Sequence, residues 1–123
     1  MRMVFMAYIT GTIKAVDFYC RAFNAKTNCF KSSDDEEFYA HAEMYINDQT
    51  ILAIGEKPFN KPQTADNNMQ FWVTFDDEQS LTVAYDVLKE DAEIHWELAP
   101  NDWCKNAADL TDKYGIRWLL NIF

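Results

Sequence analysis

The stretch Met3-Val-Phe-Met-Ala-Tyr-Ile-Thr-Gly-Thr-Ile-Lys-Ala-Val-Asp-Phe-Tyr-Cys-Arg-Ala-Phe23 changes its hydrophobic period at Gly11, and that change decides the fold. Up to Ile9 the residues are apolar without interruption. The run is short for a core helix and ends at a glycine, so it reads as a buried strand. From Thr12 onward Ile13, Val16, Cys20 and Phe23 recur at steps of three and four, with Lys14, Asp17 and Arg21 between them. That spacing predicts an amphipathic helix, with Thr12 as its N-cap and Asn24 in the left-handed position after its last turn.

Three strands follow in the reading. Thr27 to Phe30 is a strand candidate, and Ser32-Ser-Asp-Asp-Glu-Glu37 is a solvated acidic turn. From Phe38 the alternation is strict: Phe38, Ala40, Ala42, Met44 and Ile46 take one face, Tyr39, His41, Glu43 and Tyr45 the other. Asn47-Asp48 makes a turn, and Thr50 to Ile54 returns as the partner strand.

Residues 57–68 lack periodicity and read as a linker. Beyond them the order repeats. Met69 to Phe75 is a strand, and Asp76 opens a helix with Gln79 in capping-box position and a stripe of Leu81, Ala84 and Leu88. Glu93 to Leu98 and Asp109 to Thr111 are weaker strands, Asp112-Lys-Tyr-Gly115 is a turn, and Ile116 to Phe123 closes the chain. Aligning the halves sets Ile9-Thr10 on Phe75-Asp76 and Asn47-Asp48 on Asp112-Lys113. Two agreeing offsets argue for an internal duplication. The expectation is one α+β domain over 1–123, with a βαβββ module in 1–56 and a second in 69–123.

Composition narrows the function. A formal charge of -9, from 20 acidic and 11 basic residues, repels phosphate backbones and anionic lipid, so neither nucleic acid nor membrane is an expected partner. The longest apolar run is too short to span a bilayer and carries no secretory cleavage pattern. Cys20, Cys29 and Cys104 show no CxxC spacing, which fits reduced thiols and a cytoplasmic protein. Cys104 is the one cysteine placed outside the expected core.

Ala15-Val-Asp-Phe-Tyr19, Phe23-Asn-Ala25, His41-Ala42, Trp103 and above all Thr111-Asp-Lys-Tyr-Gly-Ile-Arg-Trp-Leu-Leu-Asn121 resemble the PhnB-like branch of the vicinal oxygen chelate superfamily, the glyoxalase and bleomycin-resistance proteins. The resemblance covers nearly the whole chain. It implies two βαβββ modules forming an incomplete barrel around a cavity, usually in a homodimer. It also implies a divalent metal held by one residue from the first and last strand of each module. Those positions fall on Val4, on Gln70, on Ala53 or Ile54, and on Leu119. Only Gln70 carries a donor, and one amide oxygen cannot hold zinc or a similar ion against water. No metal or other cofactor is expected, and Glu56, just past its strand, is the carboxylate closest to challenging that. Where the family shows an aromatic before the tryptophan and a His-Gly pair after it, this chain has Asp102, Lys105 and Asn106.

The candidate ligand pocket comprises His41, Gln70, Trp72, Trp103 and Arg117. His41, beside Tyr39 and Glu43, reads either as a general base or ligand-orienting donor, or as a structural histidine bridging strands. Gln70, Trp72 and Thr74 share one strand face, and Arg117, Leu119 and Asn121 share another. Together they offer an aromatic wall with a few polar groups. Arg117 reads as a fork for a carboxylate or phosphate, or as a surface arginine paired within the protein. Trp103 reads as a lid or as dimer core, and His95 as a surface residue. The leading expectation is a metal-free small-molecule-binding protein. The alternative is a superfamily-type enzyme, an isomerase, lyase or transferase, using His41 as acid–base group. A dimer with a vestigial cavity is a third class.

Overall fold

The computed structural model describes residues 4–48, 51–57 and 69–123, which divide into two compact units, 4–57 and 69–123. Apart from Lys57, the expected linker lies outside the described residues.

The first unit holds β1 (Phe5–Ile9), α1 (Thr12–Phe23), β2 (Lys26–Phe30), β3 (His41–Tyr45) and β4 (Ile51–Glu56). Its sheet runs β1-β4-β3-β2, with β1 parallel to β4 and the other pairs antiparallel. Pairing Glu43 with Ala53, and Ala42 with Ile54, sorts the faces. Ala42, Met44, Leu52 and Ile54 form the core under α1, whereas His41, Glu43, Tyr45 and Ala53 share the other face.

The buried stripe of α1 differs from the periodicity reading. Ala15, Val16, Phe18, Tyr19, Ala22 and Phe23 are buried, while Ile13 is exposed and Cys20 half-buried. The face is rotated so that two adjacent rings, Phe18 and Tyr19, are both buried, edge to face with centroids 5.2 Å apart. Thr12 is also not the N-cap. Gly11 takes that position at φ 87, a left-handed conformation suited to glycine, and it has no side chain with which to cap.

The cap comes instead from the sheet. Glu56 Oε2 accepts from Gly11 N–H at 2.9 Å, and Oε1 accepts from Thr12 N–H at 3.0 Å. A carboxylate at a helix N-terminus satisfies orphan donors and complements the helix dipole. Thr12 Oγ1 in turn accepts from Tyr39 N–H at 2.8 Å and shares its proton between Tyr39 O and Glu56 Oε1. Both polar backbone groups of Tyr39 are therefore spent on Thr12. This explains why β3 begins only at His41, shorter than the alternation from Phe38 suggested.

The second unit repeats the order: β5 (Gln70–Thr74), α2 (Glu78–Leu88), β6 (Glu93–Ala99), β7 (Asn106–Thr111) and β8 (Arg117–Ile122), arranged β5-β8-β7-β6. Leu81, Ala84 and Leu88 are fully buried, as the helical stripe predicted. The cap is Asp77 rather than Asp76: its Oδ1 accepts from Ser80 N–H at 2.7 Å, and Ser80 Oγ donates back to Oδ2 at 2.9 Å. The weak strand expected at Asp109 to Thr111 extends from Asn106 and is almost wholly buried.

The turn before β8 explains the most distinctive sequence stretch. Asp112 Oδ1 accepts from Tyr114 and Ile116 N–H, and Gly115 supplies the left-handed φ of 87 that this closure needs. Asp112 Oδ2 accepts from Trp118 Nε1 at 2.8 Å, pinning a buried indole that also leans on Phe71 with centroids 5.3 Å apart. One aspartate thus ties turn, strand and core together.

Candidate functional site

In the second unit, β5 and β8 pair in parallel as Gln70 with Arg117, Trp72 with Leu119, and Thr74 with Asn121. Phe71 and Val73 lie on the α2 side. The opposite face therefore carries Gln70, Trp72, Thr74, Arg117, Leu119 and Asn121. Antiparallel pairing with β7 adds Asp109 and Thr111 to it. On β6 Glu93 pairs with Thr111, so alternation sets His95 on the same face, where its Nε2 meets Thr111 Oγ1 at 2.9 Å. His95 is exposed, as expected, but it is held in place.

Asn121 is the centre of this face and is 0% exposed. Its Oδ1 accepts from Trp72 Nε1 at 2.7 Å and from Thr74 Oγ1 at 2.9 Å. The indole N–H can only donate, so the amide orientation is settled by chemistry and cannot be reversed. Asn121 Nδ2 is left buried with no acceptor among the described residues. Such a group is uncommon in folded proteins and has a cost of about 1–3 kcal/mol when it stays unmet.

Arg117 spends its fork within the protein. Nε donates to Asp109 Oδ1 at 3.1 Å and Nη2 to Asp109 Oδ2 at 2.8 Å, and this pairing raises the arginine's pKa above its ordinary value. Asp109 is only 3% exposed, so the pair compensates a buried carboxylate. Of the two readings, the structure has the arginine paired within the chain.

The Trp103 ring meets that of Trp72 edge to face with centroids 5.9 Å apart, and that of Phe123 at 6.5 Å. The loop that carries it is built by Asn101, whose Oδ1 accepts from the N–H of Trp103 and of Cys104, both at 3.0 Å. Trp72 is 58% exposed and Trp103 45%, so both indoles are open on the single chain. Cys104, placed outside the core by the sequence, is buried, with its thiol between Asn101 Oδ1 and Asn106 O. Cys20 and Cys29 are the more open pair.

Of the five candidate pocket residues, Trp72 and Trp103 are in ring contact, and Gln70 and Arg117 are register partners on the same face. His41 belongs to the first unit. There its Nε2 lies 3.4 Å from Glu43 Oε1, while Tyr45 Oη donates to Glu43 Oε2, so one carboxylate links imidazole and phenol along β3. The reading missed Asn121 as the organiser and Asp109 and His95 as members. Asn121 was marked only by sharing a face with Arg117. Near the end of β3 a surface depression of about 480 Å³ is lined by Asn24, Lys26, Tyr45, Ile46, Asn47 and Asp48. It touches the His41 row only through Tyr45.

At the metal positions, Ala53 and Leu119 are buried and apolar, Ile54 faces α1, Val4 precedes β1, and Gln70 is exposed at the start of β5. Glu56 is engaged at the N-terminus of α1. Among the described residues no three His, Cys, Asp or Glu side chains gather as a metal-binding group, and no helix is long and apolar enough to cross a membrane.

No protein-family model matches the sequence, and no curated protein matches it. Solved structures do. Protein PA1353 from Pseudomonas aeruginosa superposes with a TM-score of 0.81 at 16% identity, covering 99% of this chain and 97% of its own. A PhnB protein from Bacillus cereus, described as a putative 3-demethylubiquinone-9 3-methyltransferase, gives 0.74 at 23% identity, covering 100% and 98%. A possible glyoxalase from Bacillus cereus gives 0.65 at 15% identity, covering 98% and 97%. With two βαβββ modules, each a four-stranded open sheet with one helix, the chain has a glyoxalase and bleomycin-resistance-like fold.

Proposed function

We propose that the chain is a metal-free, PhnB-like small-molecule-binding protein that acts as a cytoplasmic homodimer. The observation that carries this reading is the β5–β8 face, where the open indole of Trp72, in ring contact with that of Trp103, bonds a buried, half-satisfied Asn121. Apolar and aromatic walls with a few convergent polar groups are the usual composition of small-molecule sites. The metal-free element is supported by the donor chemistry: Val4, Ala53 and Leu119 offer no ligand atom, and Glu56 is committed to a helix cap. The matching strand order of the two units supports a duplicated ancestor.

Metabolite-set thermal shift tests the binding element, since a ligand that binds only the folded state at a hundred times its Kd stabilises by about 2.7 kcal/mol. A hit recovered unchanged is the expected result; a set without any hit removes the reading. Elemental analysis of protein dialysed without chelator is expected to find no stoichiometric divalent metal. Near one ion per chain, lost on Gln70→Ala, reverses that element. Sedimentation at micromolar concentration is expected to show a dimer, and monomer alone ends that part.

A second reading draws on one observation in the first unit. The His41–Glu43–Tyr45 chain is a carboxylate-oriented imidazole, an arrangement suited to proton transfer, and conversion of the hit rather than its return would select the enzyme.

A further inference from the structure

The buried donor of Asn121 and the charge balance around it specify what kind of molecule the β5–β8 face takes. This step rests on the small-molecule-binding reading. Asn121 Oδ1 is saturated by Trp72 Nε1 and Thr74 Oγ1, so the carboxamide has only its Nδ2 protons to offer. The complement of an unmet N–H donor is an acceptor oxygen or nitrogen.

The charge of that acceptor follows from the neighbours. Arg117, the one cation on the strands of this face other than the titratable His95, is held bidentately by Asp109 and has its charge offset there. Glu93 lies across from Thr111 on the outer strand and adds a negative charge. An anionic acceptor would meet no uncompensated cation on these strands, and would lose its hydration to reach a neutral amide. A carbonyl oxygen meets the donor without that cost.

The shape follows from the indoles. Trp72 and Trp103 touch edge to face, an arrangement that leaves further ring surface open on both, in keeping with their exposures of 58% and 45%. Flat ring systems gain most from such surfaces. Because Asn121 is fully buried, an acceptor reaches Nδ2 only when side chains around it shift while the bond from Trp72 Nε1 to Asn121 Oδ1 is kept. Binding must therefore register at the Trp72 indole N–H.

We propose that the β5–β8 face is a subsite for a neutral, planar ligand bearing a carbonyl oxygen, which Asn121 Nδ2 receives as donor while Trp72 and Trp103 hold the ring. The test uses three probes of one ring and three charges: nicotinamide, nicotinate and 3-(aminomethyl)pyridine, titrated into the ¹⁵N-labelled full chain. Nicotinamide is expected to shift the Trp72 and Trp103 indole N–H signals, with nicotinate and the amine about tenfold weaker or worse. Asn121→Asp keeps an oxygen for Trp72 and replaces the donor by an anion; it is expected to weaken nicotinamide about tenfold. Should that buried variant not fold, Trp103→Ala, at an open position, is expected to weaken all ring binding.

Nicotinate binding as tightly as nicotinamide, or nicotinamide binding unchanged in Asn121→Asp or Trp103→Ala, overturns the proposal. So does silence of all three probes, as expected if Nδ2 is met by an internal water. If the probes are silent while the metabolite set gives a hit, this inference falls and the binding reading stands; if both are silent, both fall.

Discussion

Trp72 Nε1 donates to Asn121 Oδ1 at 2.7 Å across the parallel pair of β5 and β8, linking an exposed indole to a fully buried amide. The bond fixes which way Asn121 presents its amide, and so which atom the face has left to offer. Trp72→Phe keeps a ring and removes the donor. The expected loss of stability is about 0.5–1.5 kcal/mol by urea unfolding, and a loss no larger in the Trp72→Phe/Thr74→Val double variant would contradict the shared acceptor.

Glu56 should matter to α1 rather than to a metal. Glu56→Ala removes the acceptor for Gly11 N–H, Thr12 N–H and the Thr12 hydroxyl, with an expected cost of about 1–3 kcal/mol. Glu56→Gln, which still accepts, should recover part of it. Chemical denaturation reads both, and a neutral Glu56→Ala would refute the cap.

Asp112→Ala should be among the most damaging single changes in the second unit. It frees Tyr114 and Ile116 N–H at the turn and leaves the buried Trp118 Nε1 without its acceptor, for an expected cost of about 2–4 kcal/mol. The near-ultraviolet circular dichroism of Trp118 should weaken alongside the fall in Tm. Intact Trp118 signals would place the anchor elsewhere.

His41→Ala should leave the unfolding free energy within about 0.5 kcal/mol of the parent and Tm nearly unchanged, because a half-exposed side chain with one long contact to Glu43 contributes little to folding. On the functional reading it loses the ligand-induced shift seen with a metabolite hit. A fall in Tm with the shift retained would make His41 a structural bridge.

Cys20 is expected to alkylate only at high pH. Burial pushes its thiol above the ordinary value, and Cys29 and Asp17 nearby raise it further by disfavouring a second negative charge. A raised pKa means less thiolate at a given pH, so the iodoacetamide rate at Cys20 should reach half its maximum at higher pH than that of a free thiol in a short peptide. A midpoint at or below the peptide's would contradict the packing of α1 on β2.

Hydrophobic period carried most of the architecture. The switch at Gly11, the alternation around Ala42 and Met44, and the stripe of Leu81, Ala84 and Leu88 belong to residues a few positions apart, and each survives as an element in β1, α1, β3 and α2, but β1 is not the buried strand expected: Phe5, Met6 and Tyr8 are exposed and only Ile9 is buried. Asn24 at φ 51 was legible for the same reason, since a left-handed backbone is a local demand met by few residue types. The candidate site was half legible: face sharing brought Gln70, Trp72, Arg117 and Asn121 together, but no pattern along the chain told what each would bond.

Those bonds were settled between residues distant in sequence. Glu56 caps a helix 44 residues before it, Thr12 ends a strand at Tyr39, and Asn121 is oriented by Trp72 49 residues away. Periodicity records which side of an element faces the core, because burial depends on a side chain's own polarity. The partner of a buried polar atom depends on which elements the folded sheet sets side by side, so the cap of α1, the start of β3, the Arg117–Asp109 pair and the open donor of Asn121 exist only in three dimensions.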